Sequence, residues 1–227
     1  MNSFFSKLKF VVNDSSLRRK ILFILAALIL FRMLAVIPIP GIDSLRLEEF
    51  FSNNQFFGLL NIFSGGGLSN LSIVMLGVAP YITASIIMQL MTVMSPKLKA
   101  LYHEEGEAGK KKFMQYSRLL TIPLAILQGF GLLVLLSRQG IIENLTLFDQ
   151  VVNIFVITAG SVLLMWIGEL ISEFGIGNGV SIIIFAGIVA SLPTVAQQLL
   201  FTFDITQLPL FIGFALAAVA IVAGIVF

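Results

Sequence analysis

Residues 56–94 read FFGLLNIFSGGGLSNLSIVMLGVAPYITASIIMQLMTVM and lie in a stretch of 47 residues (50–96) without Asp, Glu, Lys, Arg or His. As one helix this stretch would be about 70 Å long, whereas the hydrocarbon core of a bilayer is only ~30 Å thick. Gly65, Gly66 and Gly67 divide it, because consecutive glycines disfavour a helix interior. The stretch therefore predicts a short apolar segment, a flexible break and one full crossing at residues 71–94, as in channels and transporters.

The composition places the chain in a membrane. Hydrophobic residues make up 58% of the sequence and charged residues 11%, against about 25% charged in soluble domains, and the mean hydropathy is +1.01. There is no cysteine, which excludes disulfides and thiolate chemistry. The single histidine, His103, stands between a tyrosine and two glutamates, which favours a solvated loop residue over a metal ligand.

Six apolar windows predict six membrane-spanning helices. Their residues are 21–37, 71–94, 119–137, 150–168, 179–200 and 208–227. The first window follows basic residues, as in a signal peptide, but it contains Arg32 and leads into Pro38 without a small-residue cleavage site, so we expect a retained span. The last window is still apolar at Phe227, so we expect it to be a truncated span of a longer protein.

The distribution of Lys and Arg predicts the orientation. Residues 1–20 carry five of them and the loop 95–118 carries six, whereas the opposite side has only Arg46 and Arg138. Because short cytoplasmic loops are enriched in Lys and Arg, the N-terminal segment 1–20 and the loops 95–118 and 169–178 are expected in the cytoplasm. Residues 38–70 are then an external segment.

Arg32 is the one charged residue inside a predicted span, eleven residues beyond Ile21. A charge at this depth costs a few kcal/mol, so one interpretation is an ion pair or a role in a conduit. The other is a side chain that extends to the outer interface beside the Pro38-Ile39-Pro40 exit. The sequence leaves both open.

Two glycine-containing loops are weak candidates for binding sites. Residues 175–179, GIGNG, are preceded by no strand and followed by no Lys-Ser/Thr pair, which favours a tight turn into a helix over a phosphate nest. Residues 104–110, EEGEAGK, lack the spacing of a P-loop and carry mixed charges, so a solvated loop is favoured. The alternative for this second loop is a docking surface for a cytoplasmic partner.

Two spans carry pairs of aliphatic residues four positions apart, and each pair is expected to share a helix face: Val78 with Ile82, and Ile184 with Ile188. The second span also contains Pro80, which predicts a bend, and polar residues that usually face protein or water. No span contains a histidine or an Asp pair that could serve catalysis, so the sequence predicts neither an enzyme nor a cofactor or metal site.

Several motifs, in family order and over nearly the whole chain, resemble the bacterial SecY family, the central subunits of the Sec protein-conducting channel. They are FR at 31–32 with IPIPGID at 37–43, NIFSGG at 61–66, PYITASIIMQL at 80–90, EEGEAG at 104–109, and GIGNG at 175–179 with SIIIFAGIV at 181–189. The resemblance implies an all-α membrane protein: a polytopic transmembrane helix bundle that forms the first half of an inverted-repeat channel fold. Residues 44–55 follow no family pattern that we identify.

The resemblance also implies functional positions. The apolar block before the glycines would be a plug helix, about residues 56–70, whose candidates are Phe57, Leu59, Leu60, Ile62, Phe63, Gly65, Gly66 and Gly67. Val78, Ile82, Ile184 and Ile188 would form this half's share of an apolar pore ring. Thr83 and Gln89 would belong to the polar cluster of a lateral gate between the two halves.

The resemblance further implies a location and partners. The location would be the bacterial cytoplasmic membrane, and the partners would be SecE-like and SecG-like small membrane subunits, unfolded preproteins, signal sequences and lipid. The motor ATPase SecA or the ribosome would dock mainly on later loops, and no other nucleic acid is expected. A secondary transporter for a small solute is the competing function, but transporters usually place ionisable groups near the midplane, where this chain offers only Arg32.

Overall fold

The computed structural model describes residues 14–39, 61, 64, 66–68, 70–142, 146–201 and 208–226. These residues form seven helices: α1 Ser15–Val36, α2 Ala79–Met94, α3 Pro96–His103, α4 Gly106–Arg138, α5 Leu147–Phe174, α6 Gly179–Phe201 and α7 Leu208–Val226. By length and apolar composition, α4 and α5 could each cross a membrane. The chain divides into two compact units, Met1–Ala190 and Ser191–Phe227; the described part of the second contains the end of α6 and helix α7.

Helix α1 has a defined start and a defined end. The side chain of Asp14 accepts a 2.8 Å hydrogen bond from the backbone N–H of Ser16, and this bond lowers the pKa of the exposed carboxyl. The helix ends at Val36 because Pro38 restricts the residue before it, Ile37, to the extended conformation that the structure shows.

The chain that leaves α1 pairs with the chain that leads into α2. The N–H of Ile39 donates to the carbonyl of Leu71 at 2.9 Å, and the N–H of Ile73 donates to the carbonyl of Ile37 at 3.0 Å. Pro38 and Ser72 therefore face each other in an antiparallel bridge. This pairing satisfies backbone groups that neither helix can satisfy.

The structure corrects the predicted second span. A continuous helix was expected over residues 71–94, but residues 73–78 form consecutive turns and α2 begins only at Ala79. Gly77 has a left-handed φ of +59°, which a helix does not contain and which glycine adopts most easily. Pro80 lies in the first turn of α2, where it removes no helical hydrogen bond, so the basis for the predicted bend is also absent.

The turn segment 71–78 lies inside the bundle, against α5. Leu71, Val74, Met75 and Val78 are almost completely buried. At Gly160 of α5 a Cβ atom would collide with the carbonyl oxygen of residue 73, so only a glycine permits this approach. Non-helical backbone at membrane depth is tolerated when protein surrounds it, and here α5 provides that surrounding.

Two apolar clusters hold the first unit together, and the turn segment contributes to both. The first cluster joins the end of α4 to the middle of α5 and contains Ile39, Leu68, Leu71, Met75, Leu133, Leu136, Ile141, Ile142 and Ile157. The second joins α1, α5 and α6 and contains Phe31, Ala35, Val74, Val78, Leu164, Ile167, Ile171 and Ile183. The backbone from 71 to 78 is therefore fixed from both sides.

The predicted loop 95–118 is largely helical. It contains α3 and the first turns of α4, and the chain turns between them at the exposed residues Glu104 and Glu105. A Cβ atom at Gly109 would collide with the carbonyl oxygen of Leu101, so this glycine lets α3 pack closely on α4. The ring of Tyr102 lies 4.7 Å from the ring of Phe113 in the same contact.

Candidate functional site: a cleft between helices α2, α4 and α6

A cleft of about 600 Å³ lies between α2, the α3–α4 hairpin and the start of α6. Its walls combine apolar and polar side chains, and none of its lining residues is acidic. The lining residues are Tyr81, Ile82, Ser85, Ile86, Gln89, Tyr102, Lys110, Phe113, Met114, Ser117, Asn178, Val180, Ser181 and Ile184. A cleft of this size can hold a peptide side chain or a small organic molecule.

One face of α2 forms the first wall. Ile82, Ser85, Ile86 and Gln89 follow the i, i+3, i+4, i+7 spacing of a single helix face, and all four line the cleft. Ile82 is half-buried, whereas Gln89 is exposed at the end of the row. Aliphatic and polar side chains thus alternate along this wall.

The start of α6 forms the facing wall, and the GIGNG turn positions it. Gly177 has a left-handed φ of +76°, and the side chain of Asn178 accepts a 3.1 Å hydrogen bond from the N–H of Ser181. The hydroxyl of Ser172 accepts a 2.8 Å bond from the N–H of Gly179. Because the side chains of Asn178 and Ser172 already bond these two amides, the geometry favours a tight turn over a phosphate nest.

The four predicted pore-ring residues differ in exposure, and two of them are among the described residues that line the cleft. Ile82 and Ile184 both line the cleft and also pack against the second apolar cluster. Val78 is only 1% exposed within that cluster, and it precedes α2 as the residue whose carbonyl accepts the N–H of Ile82. Val78 is the residue directly before α2, one hydrogen-bonded turn from Ile82, and the shared face of the pair stays a prediction. Ile188 is 41% exposed.

The two lateral-gate candidates differ in their surroundings. Gln89 lines the cleft. The hydroxyl of Thr83 donates a 3.0 Å hydrogen bond to the carbonyl of Ala79 in its own helix, and Thr83 is not among the residues that line the cleft. Only Gln89 of this pair is thus presented to the cleft.

Of the plug candidates, Gly66 and Gly67 are described. Phe57, Leu59, Leu60, Ile62, Phe63 and Gly65 lie outside the described residues. Gly66 has a left-handed φ of +83°, and a guanidinium nitrogen of Arg32 lies 3.5 Å from the point where a Cβ of Gly66 would stand. The side chain of Arg32 therefore lies against the glycine break, a contact that is compatible with both interpretations of this charge.

Sequence reasoning missed several residues of the cleft and its support. Ser117 and Phe113 of α4 are buried at its floor, where the hydroxyl of Ser117 donates to the carbonyl of Phe113 at 3.2 Å. Ser161 of α5 donates a 3.1 Å hydrogen bond to the carbonyl of Gly77, directly below α2. The spacing along α2 could have identified Ser85 and Ile86, but no local pattern predicts the contact between Ser161 and Gly77.

The described residues contain no group of three His, Cys, Asp or Glu side chains that could hold a metal ion. Lys110 is the one charged side chain among the described lining residues, and it also forms an exposed 3.4 Å ion pair with Glu107. The cleft therefore offers apolar contact, neutral hydrogen-bonding groups and one ammonium group, the chemistry of a binding path.

Known proteins resemble the chain along its whole length. The family model for SecY matches residues 72–227. The protein translocase subunit SecY of Pseudomonas aeruginosa is 44% identical over 217 residues, which cover 94% of this chain and 49% of that protein. The SecY subunit of Mycobacterium leprae is 41% identical over 241 residues, covering 100% of this chain and 52% of that protein. The chain thus spans about half the length of the curated relatives it matches.

Solved structures show the same fold. A protein-conducting channel superposes with a TM-score of 0.56 at 22% identity, over 77% of this chain and 36% of that structure. Sec61 in a canine ribosome-channel complex from the endoplasmic reticulum gives the same values. At this identity the likeness shows the fold alone, and it confirms the predicted all-α membrane fold of the channel type. Together with the family model and the bacterial relatives, it shows that the chain belongs to the SecY family.

Proposed function

We propose that this chain is part of the central subunit of a protein-conducting channel, which passes unfolded secretory proteins across the membrane and releases transmembrane segments sideways into the bilayer. Its relatives are named protein translocase subunits, a non-enzymatic role. The observation that carries the proposal is the pair Ile82 and Ile184, which two different helices bring to the wall of one cleft.

The chemistry of that wall suits a channel for polypeptides. An apolar constriction can exclude ions by dewetting, and it offers no polar site at which a passing chain would be retained. Aliphatic side chains such as Ile82 and Ile184 can also change rotamer to admit side chains of different size. We therefore assign these two residues to the constriction first, and Val78 and Ile188 remain predicted members of it.

The plug and the gate complete the proposal. A plug within residues 56–70 would close the path from the external side, and the left-handed Gly66 beside Arg32 supports a hinge at its end. A seam next to α2 would let apolar segments enter lipid, where a helix satisfies its own backbone groups. Gln89 in the cleft is the better supported gate residue, and Thr83 remains a candidate.

The competing function, a secondary transporter for a small solute, gains no support from the cleft. Transporters usually coordinate their substrate or coupling ion with ionisable groups near the midplane. The predicted spans contain one charged residue, Arg32, and it is not among the residues that line the cleft. The described lining has no carboxylate and has Lys110 as its one charged side chain, which favours the channel.

We propose that the assembled protein lies in the cytoplasmic membrane of a bacterium, with residues 1–20 in the cytoplasm. Its proposed partners are SecE-like and SecG-like subunits and a SecA-type motor or a ribosome. One described contact supports the topology: Arg118 at the start of the third predicted span pairs with Glu169 at the end of the fourth. The two residues must then lie on the same side of the membrane, and the excess of Lys and Arg assigns that side to the cytoplasm.

Site-specific crosslinking in the full-length protein tests the function. A photoreactive residue at position 82, 89 or 184 should crosslink a secretory precursor that is stalled during export. The same probe at Leu127, which is 65% exposed and outside the cleft, is the matched control. Precursor crosslinks that are equally strong at position 127, or protection of position 82 by a small solute alone, would contradict the proposed channel.

A further inference from the structure

We propose that Ser161 of α5 is a positioning residue: its hydrogen bond to Gly77 fixes where α2 begins and thereby where Ile82 stands in the wall of the cleft. The inference deepens the proposed function and rests on it only for the claim that Ile82 belongs to the constriction. The contact itself is a described 3.1 Å bond between the hydroxyl of Ser161 and the carbonyl oxygen of Gly77.

Both partners are buried, which gives the bond its importance. Ser161 is 1% exposed and Gly77 is also buried. Because α2 begins at Ala79 and its preceding residue is Val78, the carbonyl of Gly77 lies before the hydrogen-bond ladder of the helix. A buried carbonyl without a partner is unfavourable, so a hydroxyl at position 161 meets a requirement that α2 cannot meet.

The residue next to Ser161 holds the other end of the same turn segment. Gly160 lies so close to the carbonyl oxygen of residue 73 that a Cβ atom could not be placed there. Two consecutive residues of α5 thus contact the turn segment at positions 73 and 77, one by close backbone approach and one by a hydrogen bond. Both contacts are made by the continuous helix α5, Leu147–Phe174, so their positions along the helix axis are fixed relative to each other.

The position of Ile82 depends on this hydrogen bond between Ser161 and Gly77. Ile82 lies three residues after Ala79, and its N–H donates to the carbonyl of Val78 at 3.1 Å, so it belongs to the first hydrogen-bonded turn of α2. Gly77 permits a wide range of backbone conformations, because it carries no Cβ. Without the bond from Ser161, the start of α2 can move relative to α5, and the side chain of Ile82 moves with it.

Two substitutions of equal shape isolate the hydroxyl. Ser161→Thr keeps it, whereas Ser161→Val replaces it by a methyl group, and both add the same bulk. This chain has no cysteine, so in a full-length protein whose other cysteines are replaced by serine the introduced pair Ile82→Cys with Ile184→Cys reports the distance across the cleft in membranes. We expect Ser161→Val to lower the yield of thiol crosslinking severalfold, and Ser161→Thr to leave it near that of the parent pair.

Two further variants are controls, one for the loss of another buried hydroxyl and one for the added bulk. Thr158→Val alters a buried hydroxyl of the same helix that has no hydrogen-bond partner among the described residues, and it should leave the crosslinking unchanged. Ser161→Ala removes the hydroxyl without added bulk and should reproduce the effect of Ser161→Val if that variant does not accumulate. Equal crosslinking in the Thr and Val variants, or in the Ala variant and the parent, would overturn the positioning role.

Crosslinking between α2 and α6 needs no transport, so this measurement tests the positioning role separately from the proposed function. Resting ion conductance of the same variants supplies the second arm. Lower crosslinking with unchanged conductance would support the positioning role and count against Ile82 as part of the constriction. Unchanged crosslinking in Ser161→Val, together with an ion leak in Ile82→Ser, would overturn the positioning role and leave the channel standing.

Discussion

Arg118 of α4 and Glu169 of α5 form an ion pair in which Nε of the guanidinium donates a hydrogen bond to Oε1 of the carboxylate. The side chain of Arg118 is 40% exposed and that of Glu169 is 22% exposed, so water and salt screen the pair only in part. The pair closes one side of a groove of about 410 Å³ that also contains Lys111 and Glu173. It joins the first half of α4 to the last turns of α5.

Replacing Glu169 by Gln should destabilise the protein by about 1 kcal/mol, because a charge-assisted hydrogen bond becomes a neutral one at a partly exposed site. The measurement is the midpoint of thermal unfolding in detergent, compared at low and high salt. The exchanged pair Arg118→Glu with Glu169→Arg should recover part of the loss. Destabilisation that does not depend on salt would show that the contact acts through packing.

The glycines of α4 and α5 provide a matched pair for close packing. Gly160→Ala should destabilise the protein by about 1–3 kcal/mol, because the added methyl group meets the carbonyl of residue 73 in a packed interior. Gly131→Ala on α4 places a methyl group where nothing lies within 4 Å. It should be neutral or stabilising by up to ~1 kcal/mol, since alanine favours the helix. Equal free energies of unfolding for the two variants would contradict the close approach.

The helices were predictable from apolar windows, but their ends were not. Windows cut at charged residues gave 119–137 and 150–168, whereas the structure has Gly106–Arg138 and Leu147–Phe174. An apolar window identifies only the residues that suit hydrocarbon. A helix can continue beyond them into water, because its ends are set by backbone hydrogen bonds and capping residues. At the start of α5, Thr146 and Asp149 form a capping box that the window excluded.

The turn segment was not predictable for a different reason. Residues 71–78 have the apolar composition of a membrane-spanning helix, and most of them are buried. They are buried against α5 and not against lipid. What separates a turn from a helix there is the left-handed Gly77 and its bond to Ser161, a contact between residues 84 positions apart.

Asn153 is a buried polar residue whose removal should increase stability. It is 1% exposed, and neither its amide nitrogen nor its amide oxygen has a hydrogen-bond partner among the described residues. Asn153→Leu replaces these groups by an apolar side chain of similar size, and we expect a gain of about 1–2 kcal/mol in the free energy of unfolding.

Ile157→Val, one turn further along α5, calibrates the Asn153 measurement. Ile157 is fully buried, and the loss of one methyl group should cost ~1 kcal/mol. A loss of stability in Asn153→Leu as large as that in Ile157→Val would show that Asn153 holds an internal water molecule or another partner.

The placement of Val78 and Ile82 separates a role in sealing from a role in packing. Ile82→Ser, at the wall of the cleft, should raise the resting ion conductance of the full-length channel in planar bilayers, because a hydroxyl makes an apolar constriction easier to wet. Its stability should fall by less than that of Val78→Ser. Val78 is 1% exposed in an apolar cluster, so serine there leaves both a cavity and a buried hydroxyl, at a cost of about 2–4 kcal/mol.

Leu127→Ser supplies the control for conductance, since Leu127 is 65% exposed on α4 and outside the cleft. Ile184→Ser should leak as Ile82→Ser does, because the two residues face the same cleft from opposite helices. The double variant should leak more than either single variant if both side chains close one path. Conductance that rises in Val78→Ser but not in Ile82→Ser would reverse the assignment: the constriction would then lie at the turn segment, and the cleft would be a packing defect between α2 and α6.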